Sequence, residues 1–115
     1  MPYGGWYPVE LVAGVPVVAA PEEVDINNAG RLQEAIAAPA ADGHATVVVD
    51  MSRTRFCDSA GMHVLVRAHK RALAAGGELR LVISSDAVLR IFAITGVDNL
   101  IPFFASLDEA LAQAP

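Results

Sequence analysis

Short apolar runs alternate with amphipathic stretches along the chain, and this alternation predicts an α/β fold. Runs of β-branched residues without polar interruption are typical of strands that are buried on both faces of a sheet. The predicted strands cover residues 9–12, 15–20, 45–49, 79–83 and 101–104, and the four predicted helices begin at Ala29, Ser59, Ala87 and Leu107. This order predicts a mostly parallel sheet with right-handed crossovers, which an N-terminal hairpin makes mixed.

Prolines, glycines and capping residues predict where these elements end. Pro39 and the Asp42-Gly43 pair are expected to close the first helix. Ser106 and Glu109 have the spacing of a capping box at the start of the last helix. Pro16 has no backbone N–H, so the second strand is expected to be exposed there or to begin irregularly.

The composition of the 115-residue chain fits a single domain. The chain is 54% hydrophobic and 18% charged, which is too apolar for a disordered protein. We expect an irregular N-terminal arm at residues 1–8 and a folded domain at residues 9–115. The longest apolar stretch, residues 11–20, is interrupted by Gly14 and Pro16 and is too short for a transmembrane helix.

Charge and cysteine usage narrow the classes of partner. The chain has 8 basic and 13 acidic residues and a net charge of −5, which disfavours binding to nucleic acid. The single cysteine, Cys57, has no internal disulfide partner, in agreement with a reducing compartment. We therefore expect a cytoplasmic protein that binds neither nucleic acid nor a membrane.

The polar segment 50–59 follows the central predicted strand, where ligands and partners of parallel sheets usually bind. Ser59 falls at the start of the second helix. Its hydroxyl is therefore either the N-cap or an exposed group at the positive end of the helix dipole. Asp58 is also a favoured capping residue, and Gly61 would allow the helix to pack closely against the sheet.

The same segment contains the residue types of a serine hydrolase, in Ser59, His63 and Asp58, but it lacks the Gly-x-Ser-x-Gly elbow. Cys57 and the histidines lack the spacing of metal ligands, so we expect no metal, no cofactor and no enzyme activity. Cys57 is interpreted as a partly buried structural residue whose pKa is raised by Asp58. The histidines are interpreted as solvated surface residues, at positions 44, 63 and 69.

A buried strand that ends in Asp50, a loop and then Asp58-Ser59-Ala60-Gly61 resembles the signature of STAS domains, and of bacterial anti-anti-sigma factors in particular. Glu23-Val24-Asp25 resembles the Gly-Glu-Ile/Leu-Asp motif of that family, with Glu22 in place of the glycine. Ile94-Thr95-Gly96-Val97 and the segment 106–110 also occur in the family order, so the resemblance covers nearly the whole chain.

The resemblance implies a partner switch. In that family an anti-sigma factor that is also a serine kinase phosphorylates the first serine of the motif, and the unphosphorylated form binds the kinase and releases the sigma factor. A serine phosphatase resets the cycle. Ser59 is then the implied phosphoacceptor, with Asp58, Asp25 and Gly61 near it. His63 stands where a small residue is common, which alters the expected partner contacts.

Met62 and Val66 are predicted apolar anchors of the partner surface, and His63 and Arg67 its polar rim. The alternative for Met62 and Val66 is the half-buried edge of the core. Two other functions stay open: a STAS scaffold or transport-complex subunit in which Ser59 is only a helix cap, and a small serine hydrolase.

Overall fold

A computed structural model describes residues 7–112, which form one five-stranded sheet, a separate two-stranded ribbon and four helices. The strands are β1 (Val9–Val12), β2 (Val15–Ala19), β3 (Glu23–Val24), β4 (Val47–Met51), β5 (Phe56–Cys57), β6 (Leu79–Ile83) and β7 (Phe103–Phe104). The helices are α1 (Ala29–Ala41), α2 (Ser59–Ala74), α3 (Asp86–Thr95) and α4 (Leu107–Ala112), with a short 3₁₀ turn at Val97–Asn99. The main sheet has the order β1-β2-β4-β6-β7, and only the β1–β2 pair is antiparallel. The predicted α/β fold with a mixed, mostly parallel sheet is confirmed.

The N-terminal hairpin turns at Ala13 and Gly14, which both have positive φ, at 52° and 80°. Positive φ at both central residues is the geometry of a type I′ turn, which matches the twist of the flanking strands. Pairing between β2 and β4 begins only at Val17, because Pro16 has no N–H to donate. Pro16 itself is buried, so the expected exposure is wrong. The strand pairs with β1 from Val15 onwards, two residues before its pairing with β4 begins.

The two faces of the central strands pack against different helices. Val47 and Val49 of β4 face α1, α2 and α3, whereas Val48 faces α4. All three valines are at most 3% exposed. The prediction of a central strand buried on both faces is therefore confirmed, and three helices cover the face on which the candidate site is built.

Several predicted boundaries are shifted. The central strand starts two residues later than expected and continues through Asp50, whose backbone pairs with both β2 and β6. The first helix continues past Pro39 to Ala41, and the N–H groups of residues 42–44 still donate to the carbonyls of Ala38, Pro39 and Ala40, which completes the last turn. The last strand is shortened to two residues because the chain around Ile101 is still bonded to the 3₁₀ turn.

Helix α3 begins at Asp86, one residue before the predicted start. The side chain of Ser85 accepts a hydrogen bond from the backbone N–H of Val88 at 3.4 Å, which fixes the first turn. At α4 the bounds are as predicted, and Ser106 accepts from the N–H of Glu109 at 3.2 Å. This bond is one of the two expected of the capping box.

The predicted irregular arm lies outside the described residues, except for Tyr7 and Pro8. Tyr7 is buried, and its hydroxyl donates to the carbonyl of Asn28 at 3.2 Å. The predicted domain end, residues 113–115, also lies outside the described range. Between residues 7 and 112, no helix has the length and apolar character that a membrane crossing needs.

Candidate functional site

The site is built on the ribbon formed by β3 and β5, two short parallel strands that the sequence pattern did not predict. Val24 pairs with Cys57, and the N–H of Asp58 donates to the carbonyl of Val24 at 3.0 Å. The buried Thr54 hydroxyl donates to the carbonyl of Pro21 at 2.7 Å. These bonds hold the segment before α1 and the segment before α2 side by side.

Asp58 is the N-cap of α2, and its carboxylate joins the two segments. One oxygen accepts a hydrogen bond from the N–H of Gly61 at 3.0 Å, which satisfies a donor in the first turn. The other oxygen accepts from the N–H of Ile26 at 3.0 Å, from a residue 32 positions earlier in the chain. One carboxylate therefore fixes both the start of α2 and the loop that carries Asp25.

Ser59 is the first residue of α2 and its side chain is exposed. Its hydroxyl forms no hydrogen bond with any residue in the range 7–112. Because Asp58 supplies the cap, the exposed position at the positive end of the helix is the alternative that the structure supports. The serine is thus held at a fixed position by its neighbours without contributing a bond of its own.

Gly61 lies where α2 comes closest to the ribbon. A Cβ at this residue would be 2.7 Å from Cγ1 of Val24 and 2.8 Å from Sγ of Cys57. Both neighbours are buried and cannot move away easily. The predicted role of Gly61 in close packing is explained by this contact.

Asp25 stabilises the turn that leads into α1. Its Oδ1 accepts from the N–H of Asn27 at 2.9 Å, and its carbonyl accepts from the N–H groups of Asn28 and Ala29. Burial, and secondarily the charge of Asp25, raise the pKa of Tyr7 to about 12. Asp25 therefore has a structural role, and its loop is joined to Asp58 through Ile26.

Cys57 is buried, with 1% of its surface exposed, which is more complete burial than the partly buried structural residue that the sequence predicted. Burial, and secondarily the nearby charge of Asp58, raise the pKa of its thiol to about 12. Thiolate chemistry at neutral pH is therefore strongly disfavoured at this residue.

The predicted partner surface is only partly gathered around Ser59. Met62 and Val66 are half-buried and pack against the core, while His63 and Arg67 are exposed. The hydroxyl of Thr95 lies 3.6 Å from the sulfur of Met62, so the end of α3 borders this surface. Arg67 is eight residues after Ser59, about 12 Å further along the helix axis.

Two exposed isoleucines near this surface were not predicted. Ile26, whose N–H is bound by Asp58, is 76% exposed, and Ile94, next to Thr95, is 78% exposed. Large apolar side chains with this exposure are candidates for partner contacts. In the sequence, Ile26 is a single apolar residue in a polar turn, and Ile94 lies off the apolar stripe of its helix; these signals could have identified them.

His69 is a correction to the surface interpretation of the histidines. It is buried, and its Nδ1 accepts a hydrogen bond from the N–H of Leu79 at 3.2 Å. Burial lowers the pKa of His69, against weaker opposing effects. The ring can be buried because β6 offers a backbone donor at its first residue, a pairing that helical periodicity does not reveal. His63 is exposed as expected, and His44 is half-buried.

The architecture and the site define a one-domain α/β module whose candidate functional serine is presented at the start of a helix. The chain belongs to the STAS domain family, whose model matches residues 7–110.

Named relatives of the chain are antagonists of anti-sigma factors. The anti-sigma-B factor antagonist of Bacillus subtilis is 31% identical over 72% of this chain and 75% of its own. The anti-sigma-F factor antagonist RsfB of Mycobacterium tuberculosis is 28% identical over 85% of this chain and 80% of its own. A crystal structure of an anti-sigma factor antagonist from Mycobacterium paratuberculosis matches with a TM-score of 0.84 and 31% identity, covering 97% of this chain and 95% of that one.

Proposed function

We propose that this protein is an anti-sigma factor antagonist whose binding to an anti-sigma serine kinase is controlled by phosphorylation of Ser59. The observation that carries the proposal is the exposed hydroxyl of Ser59, which has no hydrogen-bond partner within residues 7–112, at a helix start that Asp58 already caps. A serine in this position can be modified without the loss of a structural bond. The family membership and the names of the relatives support the same reading.

A phosphate on Ser59 is compatible with the fold. It would add about −1.5 to −2 charges and three strong acceptors, next to the N–H groups of the first helical turn. The fold therefore tolerates the group, while the exposed surface around it becomes strongly anionic. A partner whose surface is matched to a neutral serine would have to desolvate that charge, which weakens the complex.

The proposed contact surface contains Ser59 with the apolar side chains of Met62, Ile26 and Ile94, and His63 at its rim. Ile26 and Ile94 supply exposed apolar area, and Met62 supplies a half-buried base. Apolar anchors with a polar rim are the usual composition of a modest protein interface. Val66 and Arg67 extend this surface along α2.

The proposed cycle needs two protein partners and no catalytic group from this chain. The anti-sigma serine kinase binds the unmodified form, and a serine phosphatase removes the phosphate and restores binding. Because the regulated process is transcription, we propose the cytoplasm as the compartment in which the protein works.

Calorimetric titration of the cognate kinase with Ser59 variants tests the switch. Ser59→Ala should bind like the wild type, because it removes a hydroxyl and introduces no charge. Ser59→Glu and the phosphorylated protein should bind at least roughly 100-fold more weakly. Ser84→Glu, at another exposed serine, is the matched control and should bind normally.

The phosphorylation reaction itself separates this function from a scaffold in which Ser59 has no regulatory role. Incubation with ATP and the kinase should add one phosphoryl group, detected by mass, and Ser59→Ala should abolish the gain. We also propose that the charge of Asp25, besides its bond to Asn27, helps to orient the serine hydroxyl or the kinase. Asp25→Asn should then fold normally, since an amide oxygen can still accept from Asn27, and should slow the reaction. Unchanged kinetics would leave Asp25 with its structural role alone. Equal binding by the phosphorylated and unmodified proteins would contradict the proposal.

A further inference from the structure

A cavity of about 540 Å³ lies between α1 and α2, at the ends of these helices that are remote from Ser59. Its inner wall consists of the buried side chains of Ile36, Val47, Val64 and Leu79. Its sides are lined mainly by alanines, at positions 37, 40, 41, 45, 68, 72 and 75. These methyl groups are too short to fill the space between the two helices, so an apolar volume stays open beside the core. The volume lies within the range of about 300–1,000 Å³ that is typical of ligand pockets.

The charged groups at this cavity are all of one sign. Arg67 and Arg71 line it from α2, four residues apart and therefore on one face of the helix. The lining contains no aspartate or glutamate, although the protein as a whole has a net charge of −5. Within residues 7–112 neither arginine forms an ion pair. The cavity thus joins an apolar interior to two guanidinium groups without anionic partners.

We propose that this cavity binds a single-chain fatty acid, with its carboxylate at Arg71 and Arg67 and its hydrocarbon chain along the alanines towards Val47 and Leu79. Arginine is the side chain best suited to a carboxylate, because its planar donors can engage both oxygens. Gln33 and His44 are the other polar side chains of the lining, and the rest of the wall consists mainly of methyl and branched aliphatic groups, which suit a hydrocarbon chain. The site shares Arg67 with the far end of the proposed contact surface, whereas Arg71 and the alanines lie outside that surface. Its existence does not depend on the proposed switch.

The direct test is the binding of decanoate to the protein, measured by calorimetry and by changes in amide chemical shifts. Decanoate should shift the amides of residues 36–45 and 64–75. Octanoate should bind roughly tenfold more weakly, since each buried methylene raises affinity up to about fourfold. Decyltrimethylammonium, which has the same chain and the opposite charge, should bind at least tenfold more weakly than decanoate.

Two variants with matched controls locate the ligand. Arg71→Gln should weaken decanoate binding by roughly tenfold, whereas Arg90→Gln, at an exposed arginine of α3, should not. Ala72→Leu fills the cavity with a residue that favours helices and should abolish binding. Ala74→Leu, on the same helix but outside the lining, should leave binding unchanged. Thermal unfolding of each variant confirms that it is folded.

Three results would overturn the proposal: no decanoate binding at millimolar concentration, equal binding of the cationic amphiphile, or undiminished binding by a folded Ala72→Leu variant. If the protein binds phosphatidylglycerol vesicles but does not bind free decanoate, the proposal is also wrong, and the two arginines contact a membrane surface instead. Kinase binding by the Arg71→Gln variant is measured in parallel. Failure of the decanoate proposal is then distinguishable from failure of the proposed phosphorylation switch.

Discussion

The two ends of α2 differ in how closely they pack against the rest of the fold. At the N-terminal end the helix is pressed against the β3–β5 ribbon, where Gly61 leaves no space for a side chain and Asp58 bonds to two segments. At the other end, His69 connects the helix to β6 through one hydrogen bond. Small alanines there leave an open cavity between α1 and α2.

The difference shows how one helix can be held tightly at one end and still leave open space beside the other. Close packing at Gly61 and the Asp58 cap fix the start of the helix, so the side chain of Ser59 is not needed to hold it in place. The alanines at the other end do not fix the helix in the same way, because their methyl groups are too short to fill the space between α1 and α2. The fixed end fits the proposed protein contact, which must be matched in shape, and the open end fits the proposed flexible ligand.

The tight end should be the more sensitive to added volume. Gly61→Ala should lower the free energy of unfolding by about 1–3 kcal/mol, since its Cβ would overlap the side chains of Val24 and Cys57. Gly30→Ala, in α1, meets nothing within 4 Å and should raise the stability by up to about 1 kcal/mol. Urea denaturation measures both, and similar effects at the two glycines would remove the proposed distinction.

Loss of the cap should have the next largest effect. Asp58→Ala should cost about 0.5–2 kcal/mol, because the N–H groups of Gly61 and Ile26 lose their acceptor. Asp86→Ala, in the exposed first turn of α3, should change stability by less than about 0.5 kcal/mol. Equal losses from these two aspartates in urea denaturation would show that the cap does not hold the site together.

The His69 end should respond to pH. Burial lowers the pKa of His69 below the value of about 6.5 expected in the unfolded chain, so the unfolded chain binds a proton more readily as the pH falls. The contribution of His69 to stability is therefore fully present above about pH 6.5 and decreases as the pH falls through its folded-state pKa.

Thermal unfolding between about pH 7.5 and about pH 5.5 measures this dependence. His69→Gln should reduce the slope of melting temperature against pH, although its stability at neutral pH is lower. His63→Gln, at an exposed histidine of the same helix, should keep the wild-type slope. An unchanged slope in His69→Gln would assign the pH dependence to other groups.

The smallest effect on stability is expected at Ser59, the proposed phosphoacceptor. Ser59→Ala should change the free energy of unfolding by less than about 0.5 kcal/mol, since the exposed hydroxyl has no bond within residues 7–112 to lose. A loss comparable to that of Asp58→Ala in the same urea titrations would make Ser59 a structural cap and weaken the regulatory proposal.

Much of the fold could be predicted because its signals are local. Hydrophobic periodicity located α2 and the three inner strands, and the residue types at Asp58 and Ser59 marked the start of the helix. The ribbon of β3 and β5 was missed, because two-residue strands have no periodicity and form only when distant segments meet. The predicted loop after the central strand is shorter than expected for a similar reason. Asp50 and Met51 belong to β4, because they pair with residues of the neighbouring strands.

By itself, the sequence determined the order of the elements, the buried central strand and the motif that carries Ser59. Only the tertiary structure decided that Asp58 rather than Ser59 is the cap, that His69 is buried, and that an open cavity lies between α1 and α2. Each of these outcomes depends on a partner far away along the chain, such as Ile26 for Asp58 or Leu79 for His69. Local propensity ranks both capping residues alike, and the choice between them is made where separate segments come into contact.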